Sequence, residues 1–94
     1  MTQREENLKY ALEQINICTE KLAKALALDN FDALSYRIAY RRVDLNDAVR
    51  RFCQIDKGLD YSEEEVEELG EKYAFQAQLM AKTWIWIGEK RNKK

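Results

Sequence analysis

The chain has 94 residues, enough for one domain whose core has little to spare. Its 16 basic and 17 acidic side chains leave a net charge of −1, which speaks against a general nucleic-acid binder or an anionic mimic, and no apolar run approaches the length of a membrane span. Histidine and proline are absent and glycine occurs only three times, so the commonest metal ligand and most helix breakers are missing; the composition predicts an all-α protein.

The first helix is expected over about 5–28. Its seam reads Leu8, Leu12, Ile15, Thr19, Leu22 and Leu26, alternating steps of four and three, the repeat that keeps one stripe facing a partner helix. Beside it Ala11, Cys18 and Ala25 recur every seven residues, and small side chains in register allow close approach. Tyr10, Ile17 and Leu28 form a weak second stripe diluted by Lys21 and Lys24.

Asp29 is the expected cap of a second helix over about 31–56, with Asp32 in its first turn. Phe31, Leu34, Ile38, Leu45, Val49 and Phe52 stay on one face if that helix is continuous. The competing reading breaks it at Asp44, which with Asp47 would cap a separate short helix. Gly58 supplies a left-handed exit.

Ser62 and Glu65 then form a capping-box pattern for a third helix over about 62–90, followed by a basic tail at 91–94. Val66, Leu69, Tyr73, Ala77, Met80, Trp84 and Ile87 share one face and are expected in the core. Phe75, Leu79 and Trp86 fall on the opposite side, interrupted by Lys82. Trp84 and Trp86 are two residues apart and cannot share a helix face. The expected architecture is therefore an antiparallel three-helix bundle of long helices in a single domain, or four helices if the break at Asp44 is real.

The chemistry of sites is sparse. No serine, cysteine or acid has a histidine beside it, and no glycine-rich phosphate loop, zinc spacing or calcium loop occurs; no catalytic residue, metal or cofactor is expected. Glu64, Glu67, Glu68 and Glu71 have helical spacing for magnesium, but the opposing seams supply no clearly registered carboxylates. Cys18 and Cys53 lie far apart in helical patterns, which favours reduced, largely buried thiols, although sequence leaves a disulfide open. The N-terminal residues are polar instead of forming a targeting segment, so the cytoplasm is the expected location.

Two surfaces stand out. Phe75, Leu79 and Trp86, with Tyr36 and Tyr40 on the middle helix, are candidates for self-association or for docking another protein, a symmetric dimer being the commonest solution. Arg37, Arg41, Arg42, Arg50 and Arg51, with Arg91, Lys93 and Lys94, are candidates for binding a polyanion, or else for pairing with the seven acids of residues 60–71. The sequence thus predicts a helical interaction module, with a nucleic-acid-associated regulator as the alternative.

Overall fold

The computed structural model describes residues 2–92, without the side chains of Arg91 and Asn92. The described chain is helical throughout its elements: α1 (Gln3–Leu28), α2 (Tyr36–Lys57), a single 3-10 turn (Gly58–Asp60) and α3 (Glu63–Asn92). The three helices pack on one another in a long, flat body of 53 × 30 × 17 Å.

Helix α1 starts earlier than its apolar seam requires, because the Thr2 hydroxyl accepts from the Glu5 amide at 3.2 Å. At its other end Asp29 closes the helix instead of opening the next one. The reason lies in the two residues that follow. Asn30 and Phe31 have φ of 49° and 59°, the left-handed region, and the Phe31 amide returns to the Leu26 carbonyl at 2.9 Å. A helix cannot begin through such a pair. Asp32 instead accepts from the Leu34 amide at 2.9 Å in a tight turn. Ser35 then caps α2 by accepting from the Ile38 amide at 3.2 Å, while its own hydroxyl donates to the Asp29 carboxylate.

This turn corrects the expected start of the second helix by five residues and removes Leu34 from the core, leaving it 88% exposed. From Tyr36 onward α2 is one uninterrupted helix through Asp44, so the described residues hold three helices and not four. Asp44 lies on the helix and pairs with Arg41 at 3.7 Å. Gly58 has the positive φ, 62°, expected of the exit. Only half of the capping box forms at α3: Ser62 Oγ accepts from the Glu65 amide at 3.2 Å, but the Glu65 carboxylate turns away to accept from Lys57 Nζ at 2.6 Å.

The core joins Ile15, Leu22 and Leu26 of α1 to Leu45, Val49 and Cys53 of α2 and to Val66, Ala74, Ala77 and Ala81 of α3. The α1 seam holds from Ile15 onward, whereas Leu12 is exposed and Leu8 is half-buried outside the core cluster. Buried Thr19 satisfies its hydroxyl by donating to the Ile15 carbonyl at 2.8 Å. The expected face of α3 is rotated. Its buried positions are Val66 and four small residues, Gly70, Ala74, Ala77 and Ala81, while Leu69, Tyr73 and Met80 are half-buried at the flank and Trp84 and Ile87 are exposed. A Cβ placed on Gly70 would lie 2.9 Å from Asn46 Oδ1, so the Asn46 side chain of α2 occupies the space that the glycine leaves.

Leu34 and Leu45 share one face by sequence but not in the structure, and substitution separates them. Leu45→Ala removes a fully buried side chain and is expected to cost about 2–5 kcal/mol in urea unfolding, whereas Leu34→Ala should change stability by less than about 0.5 kcal/mol.

Candidate functional site

The outward side of α3 carries three large apolar side chains over about three turns, beside the exposed Gln78, Lys82 and Thr83. Phe75, Leu79 and Trp86 are 59%, 49% and 55% exposed, on the side away from Ala77 and Ala81. Lys82, which interrupts this stripe in sequence, turns aside: its Nζ stands 6.0 Å from the centroid of Phe31 in the α1–α2 turn. Lys90 Nζ lies 4.4 Å from the Trp86 ring centroid and covers part of the indole without burying it.

A second apolar patch lies on α2. Tyr36 and Tyr40, 82% and 70% exposed, line a shallow depression of about 140 Å³ with Ala39 and Val43. No residue of α3 takes part in it, so the two patches belong to separate faces. The structure therefore does not bring Tyr36 and Tyr40 into one groove with Phe75, Leu79 and Trp86.

The five arginines of α2 divide between its two flanks. Arg42 and Arg50 face α3 in a polar cleft of about 410 Å³ with Asn46, Glu63, Val66, Glu67 and Glu71. There Arg50 grips Glu63 with two contacts, Nη2 to Oε2 at 2.9 Å and Nε to Oε1 at 3.4 Å, and also approaches Asp47 at 3.5 Å. Hydrogen bonding from this guanidinium, helped by its charge, holds the Glu63 carboxyl below the usual glutamate range against the opposing effect of desolvation. Arg37, Arg41 and Arg51 face α1 instead. Arg37 and Arg41 line a groove of about 340 Å³ with Lys21, Lys24, Ala25 and Leu28. Arg51 lines a smaller one with Gln14, Cys18, Lys21, Asp44, Asp47 and Ala48.

Lys21 and Lys24 are thus site residues that sequence reading assigns only to an interrupted apolar stripe. Their spacing of three residues puts them on one side of α1, but meeting Arg37 and Arg41 depends on the register between two helices, which no local pattern contains. Lys93 and Lys94 lie outside the described residues, as does the side chain of Arg91.

Cys53 is buried and Cys18 half-buried, both unpaired with another cysteine, and burial pushes both thiols above their ordinary range. Among the described residues no group of three or more acids, cysteines or histidines is placed to hold a metal ion, and no helix is long and apolar enough to cross a membrane. Compared with protein-family models, curated proteins and solved structures, the chain matches none of them.

The Arg50–Glu63 contact has a measurable signature. Because the folded carboxyl is depressed, the pair stabilises the fold above the ordinary glutamate range and loses that effect as pH falls through the folded Glu63 value. Arg50→Gln is expected to move the Glu63 carboxyl titration, followed by NMR, upward toward the ordinary range. As an exposed pair it should add little to stability at neutral pH.

Proposed function

We propose that the protein is a small non-catalytic interaction module, of the adaptor, regulatory-subunit or chaperone-like kind, that self-associates through the outward face of α3. The observation that carries this reading is the exposure of Phe75, Leu79 and Trp86 along one stripe. Scattered single apolar residues are ordinary on a surface, whereas three large ones in register form a patch of the kind that contact surfaces use.

The helix directions are read as antiparallel between neighbours. Arg4 in the first turn of α1 meets Asp56 near the end of α2 at 3.4 Å, Arg37 near the start of α2 meets Asp29 at the end of α1 at 3.8 Å, and Arg50 near the end of α2 meets Glu63 at the start of α3. In that arrangement Gly70 is level with Asn46 and Lys82 with Phe31, so the last turns of α3 run past the end of α1 and the start of α2. Fully buried positions on α3 end at Ala81, in keeping with this. The stretch from Ile85 to Asn92, about 12 Å of helix, carries Trp86 and Ile87 with little of its own chain beside it.

A second copy is the occupant that suits this end. An isologous pairing of two α3 stripes covers both copies with one contact, and two-fold dimers are the commonest closed assemblies. Because each of the three is already about half covered, burying the rest contributes roughly 0.7–1.5 kcal/mol apiece before the costs of association. The three together reach a useful sum. The cytoplasm is the proposed setting, where two unpaired thiols remain reduced. A nucleic-acid role has weaker support, because Arg50 is engaged by Glu63 and Arg42 opens onto a cleft rimmed by Glu67 and Glu71.

Sedimentation across protein concentration tests the proposal. The chain should shift from one-copy toward two-copy mass as concentration rises, and Phe75→Gln, Leu79→Gln and Trp86→Gln together should hold it at one copy with its helical circular dichroism intact. A chain that stays single at every concentration rejects self-association. A triple variant that assembles as well as the parent rejects this stripe as the surface.

A further inference from the structure

We propose that the groove between α1 and α2 binds a small phosphate-bearing ligand, held by Lys21 and Lys24 from one helix and Arg37 and Arg41 from the other. This site is independent of the apolar face of α3. Its lining consists of these four cations and the apolar Ala25 and Leu28, with a volume of about 340 Å³. The neighbouring grooves are of mixed sign: the cleft against α3 sets Arg42 and Arg50 among Glu63, Glu67 and Glu71, and the depression farther along α1 sets Lys21 and Arg51 beside Asp44 and Asp47. In the groove around Leu28, by contrast, cations converge from two helices onto a space with no acid in its lining among the described residues.

The donors there are weakly committed. Lys24 stands 3.6 Å from Glu20, Arg37 3.8 Å from Asp29 and Arg41 3.7 Å from Asp44, all longer than a hydrogen bond. Lys21 has no ion pair among the described residues. Elsewhere the same chain makes tight pairs, with Arg50 to Glu63 at 2.9 Å and Lys57 to Glu65 at 2.6 Å. The difference leaves guanidinium and ammonium hydrogens available for an incoming anion. Planar guanidinium forks match two oxygens of a phosphate at once, and lysines add charge without imposing geometry.

The kind of anion follows from the rim and the floor. Glu20, Asp29 and Asp44 border the cations and oppose an extended polyanion lying across α1 and α2, whereas a compact phosphate can sit inside them. The volume is at the lower end of small-molecule sites. Ala25 and the exposed Leu28 supply an apolar floor for the part of the ligand that carries the phosphate. A soluble phosphate compound and an anionic lipid headgroup share this chemistry.

Inorganic pyrophosphate titrated into the full chain at low salt, followed by amide NMR, tests the site. Saturable shifts confined to Lys21–Leu28 and Arg37–Arg41 are expected. Lys21→Gln and Arg41→Gln should each weaken binding about tenfold, as loss of a charge-assisted contact does, while Arg50→Gln leaves it unchanged. All three side chains lie on the surface, and unchanged thermal melting confirms that each variant is folded. Where pyrophosphate binds, co-sedimentation with phosphatidic acid–phosphatidylcholine vesicles assigns the source: vesicle binding lost in the same two variants identifies a headgroup, and no vesicle binding identifies a soluble phosphate compound. Absence of saturation up to millimolar pyrophosphate overturns the proposal. So does equal weakening by Arg50→Gln, which would mark a diffuse charge effect.

Discussion

The close approach of α3 to its neighbours, through Gly70, Ala74, Ala77 and Ala81, is the constraint on which the rest of the surface depends. A helix that buries its smallest residues must place its largest ones elsewhere, because positions on a helix are fixed at about 100° intervals. Leu69, Tyr73 and Met80 therefore line the flank of the core, and Phe75, Leu79 and Trp86 are carried to the side facing water. The apolar stripe is a geometric counterpart of the thin seam. It cannot be turned inward without pushing alanines out and separating the helices.

Charge is distributed by the same packing. One face of α2 is buried by Leu45 and Val49 and the outward one carries Tyr36, Tyr40 and Val43; its arginines lie along the two flanks between, and each flank meets a different neighbour. The side toward α3 meets the glutamates of its opening turns, where acids also favour the positive end of the helix dipole, and Arg50 there is held by short contacts. The side toward α1 meets Lys21 and Lys24, and the acids within reach stop short of hydrogen bonding. One flank is neutralised within the chain and the other is left with available donors. Neither property belongs to an arginine alone; both come from what the adjacent helix presents.

How far the fold could be read from the sequence varied with the kind of signal. The seam of α1 was legible because Ile15, Thr19, Leu22 and Leu26 repeat over many turns, and periodicity averages over local exceptions such as Leu12. The start of α2 was not, since Asp29, Asp32 and Ser35 are all good caps and the choice rests on Asn30 and Phe31 adopting left-handed backbone. A bulky aromatic in that region runs against local preference, and tertiary packing of its half-buried ring against the core accompanies it. The exposure of Phe75, Leu79 and Trp86 followed from their phase, and of the face opposite them Val66 and Ala77 are buried and Leu69, Tyr73 and Met80 pack at its edge, while Trp84 and Ile87 are exposed and Ala74 and Ala81 take the centre. The cationic groove was half legible. Arg37 and Arg41 were visible, and Lys21 and Lys24 required the register of α1 on α2.

With a core of this kind, any further burial of the surface bears on folding. Among the described residues the large side chains almost removed from water are Ile15, Leu22, Leu45, Val49 and Val66, and much of the remaining core is alanine, which contributes little apolar area per residue. A chain of this length has little stability to spare. Any contact that covers the outward face of α3 in the folded state, and finds no such face in the unfolded one, adds to stability by mass action. In the proposed dimer the apolar stripe therefore has two roles, as a recognition surface and as a supplement to the core, and the apparent stability of the fold rises with its concentration. The phosphate groove lies on α1 and α2, away from that surface, so a ligand there can be bound whether or not the α3 face is covered.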